Sequence, residues 1–165
     1  MEVFDDIKEM IGKTPILKLN RFNLKDGINV YAKLENFNPG GSVKDRIGYY
    51  MIRQAEKAGK LKKGYTIIEA TAGNTGLGIA MGALNRGYKV IFAVPEKFSV
   101  EKQVLMRALG AEIIHTPEKD GMRGAIEKSR ELLKQIPNSI SPTICRSRTS
   151  RERNPLRKPL PRPGR

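Results

Sequence analysis

Short runs of β-branched residues alternate with stretches of helical apolar spacing, and glycine marks the junctions. This alternation limits the chain more than any other feature. Residues 28–34, Ile28-Asn29-Val30-Tyr31-Ala32-Lys33-Leu34, place apolar side chains at every second position and read as a strand. Ile67-Ile68, Val90-Ile91-Phe92-Ala93-Val94 and Ile113-Ile114 are short runs of the buried-strand type. Between them, residues 42–58, 75–85, 99–109 and 121–136 read as helices, with Gly59, Gly64, Gly87 and Gly110 at connections. Helix followed by strand, repeated three times, predicts a parallel sheet covered by helices on both faces, a three-layer α/β/α arrangement.

Two strand-to-helix junctions carry residues suited to chemistry. In Asn38-Pro39-Gly40-Gly41-Ser42-Val43-Lys44-Asp45-Arg46, Pro39 ends the strand and the glycines permit a tight turn. Ser42 is positioned to cap the helix, with Asp45 three residues on, and Val43, Ile47, Tyr50, Met51 and Ala55 form its apolar face. Lys44 then falls in the first turn, where the helix macrodipole disfavours an ammonium by about 0.3–1 kcal/mol. Arg46 adds a second positive neighbour, which favours the neutral, nucleophilic amine used in Schiff-base chemistry. Local physics alone favours the plainer reading, a solvated helix-start lysine beside Asp45.

The second junction is Glu69-Ala70-Thr71-Ala72-Gly73-Asn74-Thr75-Gly76-Leu77-Gly78. Free N–H groups at a helix start bind anions, and the Thr71, Asn74 and Thr75 side chains add donors. The glycines could instead serve close packing of helix on strand. Their spacing matches neither the dinucleotide nor the nucleotide-triphosphate fingerprint. At the carboxyl edge of a parallel sheet the two junctions would face one crevice, pairing a reactive lysine with an oxyanion cradle. Such a pairing suits amino-acid chemistry.

The remaining composition narrows the field. At 165 residues the chain is long enough for one domain of ordinary size. No apolar run approaches the roughly 20 residues of a membrane span. The acidic start, Met1-Glu2-Val3-Phe4-Asp5-Asp6, lacks the blocks of a secretory signal, so the cytoplasm is expected. One cysteine, Cys145, and one histidine, His115, allow neither an internal disulfide nor a Cys/His metal cluster, and neither residue is given a catalytic role. His115 reads as a surface or capping residue, Tyr49 and Tyr50 as packing residues, and Met51, Met81 and Met106 as core.

Residues 143–165 hold eight basic residues against the single acid Glu152, a net +7 that is half of the +14 of the whole chain. With Pro155, Pro159, Pro161 and Pro163 and few large apolar side chains, this tail is expected to be disordered. A basic arm for nucleic acid or anionic lipid is one reading of it. The absence of interleaved aromatics argues against nucleic acid as a partner.

From about residue 11 to residue 142 the chain resembles the fold-type II pyridoxal-phosphate enzymes, in the branch of cysteine synthases and cystathionine β-synthases. The resemblance rests on Ile11-Gly12-Lys13-Thr14-Pro15, Ala32-Lys33-Leu34-Glu35, residues 39–46, residues 71–76, Val94-Pro95-Glu96-Lys97-Phe98-Ser99-Val100-Glu101-Lys102 and Leu109-Gly110-Ala111. It implies that Lys44 binds the cofactor pyridoxal 5′-phosphate covalently and shuttles a proton, and that Asn74 hydrogen-bonds the pyridoxal 3′-oxygen. Thr71, Ala72, Gly73, Asn74 and Thr75 would grip the substrate α-carboxylate. The implied reaction is β-replacement on serine or O-acetylserine by sulfide or by homocysteine, in a family whose intact members are expected to be homodimers. Ala70 and Ala72 stand where many relatives have Pro and Ser, and the pattern looks closer to the homocysteine-using bacterial subgroup than to housekeeping cysteine synthases.

By the resemblance, residues 1–142 form the N-terminal part of a two-domain enzyme, mainly its smaller domain, and residues 143–165 a separate tail. The family pattern stops at Pro142, before the Gln-Phe segment, the glycine-rich phosphate loop and a serine near the pyridine nitrogen. Thr143-Ile144-Cys145-Arg146 can be encoded ACA ATT TGC CGN, whose second frame reads Gln-Phe-Ala, so a frameshift would account for the tail. The expectation is a truncated form with little activity and exposed apolar surface. The alternatives are a non-catalytic fragment that binds paralogous subunits and a nucleic-acid binder acting through its tail.

Overall fold

A computed structural model describes residues 2–20, 27–71 and 73–143. Most of the basic tail, with Cys145, therefore lies outside the described residues. Strands β3 (Thr66–Ala70), β4 (Lys89–Pro95), β5 (Glu112–Thr116) and β6 (Ser139–Ile140) form one parallel sheet in the order β5-β4-β3-β6. Helices α1 (Lys44–Lys57), α2 (Asn74–Ala83), α3 (Val100–Ala108) and α4 (Gly121–Gln135) accompany it. The fold class and the four helices expected from periodicity are present.

Strand alternation divides the core. Ile67, Val90, Phe92 and Val94 face one side and pack with Leu77, Ile79, Ala80 and Ala83 of α2 and Met106 of α3. Ile68 and Ile91 face the other and pack with Leu132 of α4. Neighbouring strand positions point to opposite faces, so both faces need cover. α2 lies inside the cluster, with every residue from Gly76 to Ala83 buried, because α1 covers the side that the sheet does not. Its C-terminal end is tied down by Lys8, a buried lysine whose Nζ donates to the Leu84 carbonyl at 2.9 Å and pairs with Asp6 at 2.6 Å. A cation there also suits the helix dipole.

The strand that precedes Lys44 is not part of this sheet. β1 (Ile16–Leu19) and β2 (Val30–Lys33) pair antiparallel with each other in a separate ribbon, and a 3-10 turn (Glu35–Phe37) stands between β2 and α1. Lys44 therefore does not sit on a carboxyl-edge turn of the parallel sheet, which corrects the expectation of two successive units. Alternating hydrophobicity marks a strand but says nothing of which sheet receives it. β1 and β6, the latter only two residues long, have no counterpart among the strands expected from sequence.

The face of α1 also differs from its expected stripe. Gly48, Met51, Ile52 and Ala55 are buried, while Val43 and Tyr50 are exposed, so Tyr50 is not a packing residue. Tyr49 does pack: Arg53 donates to its hydroxyl at 3.0 Å and the Arg86 guanidinium lies 5.8 Å from its ring centre. Met51, Met81 and Met106 are core residues as expected. Ile16, Leu17, Ile28, Tyr31 and Phe37, all of the 16–37 segment, are exposed. Among the described residues, no helix is long and apolar enough to cross a membrane.

Candidate active site

Lys44 opens α1 and is half-buried. Ser42 performs the expected capping, its Oγ accepting the Lys44 N–H at 3.1 Å, while Val43 already has helical dihedrals. Asp45 does not close a capping box. It is fully buried, and its Oδ2 accepts the Gly40 N–H at 2.6 Å across the turn. A Cβ at Gly40 would stand 2.6 Å from Asp45 Oδ1, so only glycine lets the turn close over this carboxylate. Oδ1 has no partner among the described residues, and burial, followed by the Glu35 charge, pushes the Asp45 carboxyl up against the opposing Gly40 hydrogen bond.

Beneath the turn lies a network that joins the scattered sequence landmarks. Glu35 takes both branches of the Arg46 guanidinium, at 2.7 Å from Nε and 2.9 Å from Nη2. Thr14 donates to Glu35 at 3.1 Å, and Asn38 donates to it at 2.9 Å. Asn38 Oδ1 also accepts the Gly12 N–H at 2.8 Å, and Arg46 reaches the Gly12 carbonyl at 3.0 Å. Chiefly because of Arg46, the Glu35 carboxyl is held down to about 2. Motifs from residues 11–15, 32–35 and 38–46 are thus one bidentate ion pair and its supports.

The supports do not themselves bring Lys44 to the second junction. Close packing of α1 on α2 does. A Cβ at Gly78 would lie 2.5 Å from the Lys44 carbonyl oxygen, a Cβ at Gly48 would overlap the Gly78 and Ile79 backbone, and Gly82 faces Tyr49. These contacts advance in the same direction along both helices, so their N-termini share an end. Gly78 is four residues from Asn74, so the Lys44 backbone stands about 6 Å of helical rise from the start of α2. Helical side chains tilt towards the N-terminus, which directs Lys44 to that end. Among the described residues its Nζ makes no hydrogen bond or ion pair.

At the start of α2, Gly73 occupies the N-cap position with an extended backbone and no side chain to offer. Thr71, buried at the end of β3, takes the role instead: its Oγ1 accepts the Gly76 N–H at 3.1 Å. Among the described residues nothing accepts from the Asn74 and Thr75 N–H groups. They form an anion cradle at the positive end of a buried helix. Ala72 lies outside the described residues.

Thr71, Gly73 and Thr75 also line a cleft of about 530 Å³ at the carboxyl edge of the sheet, opposite Met122, Ile126 and Arg130 of α4. Glu69 lies at its floor, where it accepts from Ser141 Oγ at 3.0 Å and from the Thr143 N–H at 3.1 Å. Phe98 stands at its rim, in a loop where Lys97 and Ser99 both take left-handed dihedrals, φ 60° and 53°. Lys44 and Asn74 are not among the lining residues. The structure therefore brings Thr71, Gly73 and Thr75 into one cleft, whereas Lys44 lies outside its lining with its backbone packed against α2 at Gly78.

Glu35, Asn38, Asp45 and Glu69 were not legible as site residues in the sequence. The motif landmarks were the only signal, because each of these groups acts through a partner distant in the chain. His115 is exposed, with Nε2 2.9 Å from Gln103 Oε1 and 3.3 Å from Arg107 Nη2, in keeping with a surface role. Among the described residues no cluster of His, Cys, Asp or Glu could hold a metal ion.

The family profile described as "Pyridoxal-phosphate dependent enzyme" matches residues 7–149, and the chain belongs to that family. Its resemblance to cysteine synthases and cystathionine β-synthases is equally plain. The chain is 58% identical over 139 residues to the O-acetylserine dependent cystathionine beta-synthase of Bacillus subtilis, covering 84% of this chain and 45% of that protein. It is 50% identical over 144 residues to the cysteine synthase of Helicobacter pylori, covering 86% and 47%. The crystal structure of cystathionine beta-synthase from Bacillus anthracis superposes with a TM-score of 0.74 at 55% identity, covering 86% of this chain and 53% of that one. The chain spans about half the length of the relatives it matches.

Proposed function

We propose that this chain provides the lysine-bearing half of a pyridoxal-phosphate-dependent β-replacement site acting on serine or O-acetylserine with a thiol. The observation that carries the reading is the packing of Gly78 against the Lys44 backbone, which sets the start of α1 beside the start of α2, where among the described residues the Asn74 and Thr75 N–H groups have no acceptor. The donor set fits the cofactor. Lys44 would hold it covalently through Nζ, and the Asn74 amide would hydrogen-bond its 3′-oxygen. When bound, pyridoxal phosphate supplies an electron sink for negative charge developing at the substrate Cα.

The chain's own residues account for the rest. The Asn74 and Thr75 N–H groups bind the substrate α-carboxylate, and the Thr75 hydroxyl supplies a further donor. Thr71 keeps those N–H groups aimed by capping Gly76, while its own hydroxyl hydrogen stays available to the cleft. Lys44 Nζ takes the Cα proton and returns one at the end of the reaction, a base working at hydrogen-bond range. Residues 1–142 act as the N-terminal part of the enzyme, mainly its smaller domain, with residues 143–165 a separate tail. A cytoplasmic location and homodimeric assembly complete the reading.

Mixing the protein with pyridoxal phosphate, reducing with borohydride and mapping the labelled peptide tests this directly. The label is expected on Lys44 and should vanish in Lys44→Ala. Equal labelling of several surface lysines, or labelling undiminished in that variant, would defeat the proposal.

A further inference from the structure

β3 is held unequally on its two sides. Towards β4 the ladder runs the length of the strand, from Thr66 opposite Lys89 to Ala70 opposite Ala93, and the Thr71 N–H still donates to the Ala93 carbonyl at 3.3 Å. Towards β6 the pairing ends at Ile67 opposite Ile140. Residues 141–143 therefore reach the carboxyl edge without ladder partners on β3, yet Ser141 and Thr143 line the same cleft as Thr71, Gly73 and Thr75.

Glu69 takes the place of the missing ladder. It is a carboxylate only 8% exposed, in a strand otherwise made of Thr66, Ile67, Ile68 and Ala70. Burying it costs free energy that hydrogen bonds must offset. Both hydrogen bonds that it accepts among the described residues come from the segment beyond β6: Oε2 takes Ser141 Oγ at 3.0 Å and the Thr143 N–H at 3.1 Å. Two residues further on, Thr71 caps α2 through Gly76. One stretch of backbone, residues 69–71, thus fixes both the cradle and the wall beside it.

We propose that Glu69 is a positioning residue, which holds Ser141 and Thr143 against the end of β3 and so sets the distance between that wall and the cradle at Asn74 and Thr75. The inference rests on the β-replacement reading above for what the cradle binds. Glu69 acts through the segment it holds and touches no substrate in this role. Released, residues 141–143 would admit water to the cleft, and N–H groups hold a carboxylate less tightly where water competes. Because one oxygen takes both hydrogen bonds, the role needs an acceptor at that point and not a charge. A glutamine carbonyl oxygen, with two lone pairs, would serve as well.

The test is a titration of the isotope-labelled protein with acetate, read at the Asn74 and Thr75 amide shifts, with hydrogen exchange at the Thr143 amide measured alongside. Glu69→Gln and Glu69→Leu lose the same charge, so the difference between them reports position alone. Glu69→Gln should keep the parent's exchange at Thr143 and bind acetate at least as tightly as the parent. Glu69→Leu should exchange faster there and bind acetate at least about threefold more weakly than Glu69→Gln, the effect of one lost hydrogen bond. Ser141→Ala removes one donor and leaves the Glu69 charge in place, so it should weaken acetate binding by a smaller factor, and it carries the comparison if Glu69→Leu does not fold. Equal acetate affinity in Glu69→Gln and Glu69→Leu, or in the parent and Ser141→Ala, would overturn the proposal. So would a parent without an acetate response at Asn74 and Thr75. Borohydride labelling after pyridoxal phosphate in the same samples separates the two readings. Label on Lys44 together with any of those results defeats the positioning role alone, whereas a parent without label on Lys44 defeats the reading beneath it.

Discussion

Gly78 approaches the Lys44 carbonyl so closely that a methyl group on it would lie 2.5 Å from the oxygen and 3.0 Å from the Asp45 Cα. Both contacts are to backbone, which cannot swing aside as a side chain would. Gly78→Ala must therefore push α1 away from α2 and carry Lys44 with it. Overpacking of this kind costs about 1–3 kcal/mol. Gly48→Ala should be as damaging, because its Cβ would overlap the Gly78 and Ile79 backbone, and Gly82→Ala milder, with its nearest contact at 3.0 Å. Urea denaturation midpoints should fall furthest for Gly78→Ala and Gly48→Ala and less for Gly82→Ala, and Lys44 labelling should weaken in the first two variants. Equal midpoints across the series would refute the close-packing account.

Thr71 caps α2 from three positions before the helix begins, through Gly76. Thr71→Val preserves shape and removes the acceptor, at a cost of about 1 kcal/mol, and should speed hydrogen exchange at the Gly76 amide. Thr71→Ser should recover most of the loss. A valine variant as stable as the parent would show that the cap is dispensable.

The Glu35–Arg46 pair makes a prediction about acid. The Glu35 carboxyl is held down to about 2 from its ordinary 4.5, first by Arg46 and also by Asn38 and Thr14, against a cost of burial. A folded-state value below the unfolded one means the unfolded chain binds the proton more readily. The stability from this group is thus fully present above about 4.5 and is lost as pH falls from there towards about 2. Glu35→Gln should flatten the dependence of the denaturation midpoint on pH across that window. An unchanged slope in the variant would rule the pair out as its source.

Asp45 carries the opposite sign. Its carboxyl is pushed up by burial and by the nearby Glu35 charge, so the folded chain binds the proton more readily than the unfolded one. Its contribution to stability is present below the ordinary 3.8 and declines as pH rises through the elevated folded value. Asp45→Asn keeps an acceptor for the Gly40 N–H and removes the buried charge. The variant should gain on the parent as pH rises from 3 to 7 in paired urea titrations. A parent that gains on the variant over that range would show that Asp45 is stabilised as a carboxylate.

The four helices and the three longer strands of the parallel sheet were legible because each has its own period. The β-branched runs at Ile67, Val90 and Ile113 and the apolar spacing of residues 121–136 are local signals that survive in any compact arrangement. β6 escaped notice because two residues carry no period, and its pairing is set by β3 beside it. Tyr50 departs from the expected face because residues 50 and 51, at i+3 and i+4 from Ile47, flank one stripe on opposite sides, and only the position of α2 decides which side is covered.

Fold class, glycine turns and family are readable along the chain alone, since each is written in residues close together; how these parts meet is set by folding. It placed β2 outside the parallel sheet, gathered Thr14, Glu35, Asn38 and Arg46 into one network, and set the Lys44 backbone against α2 at Gly78 and not along a shared sheet edge. The physical reason is that a hydrogen bond or a close backbone contact belongs to two residues at once. A linear sequence presents those two residues without stating that they touch.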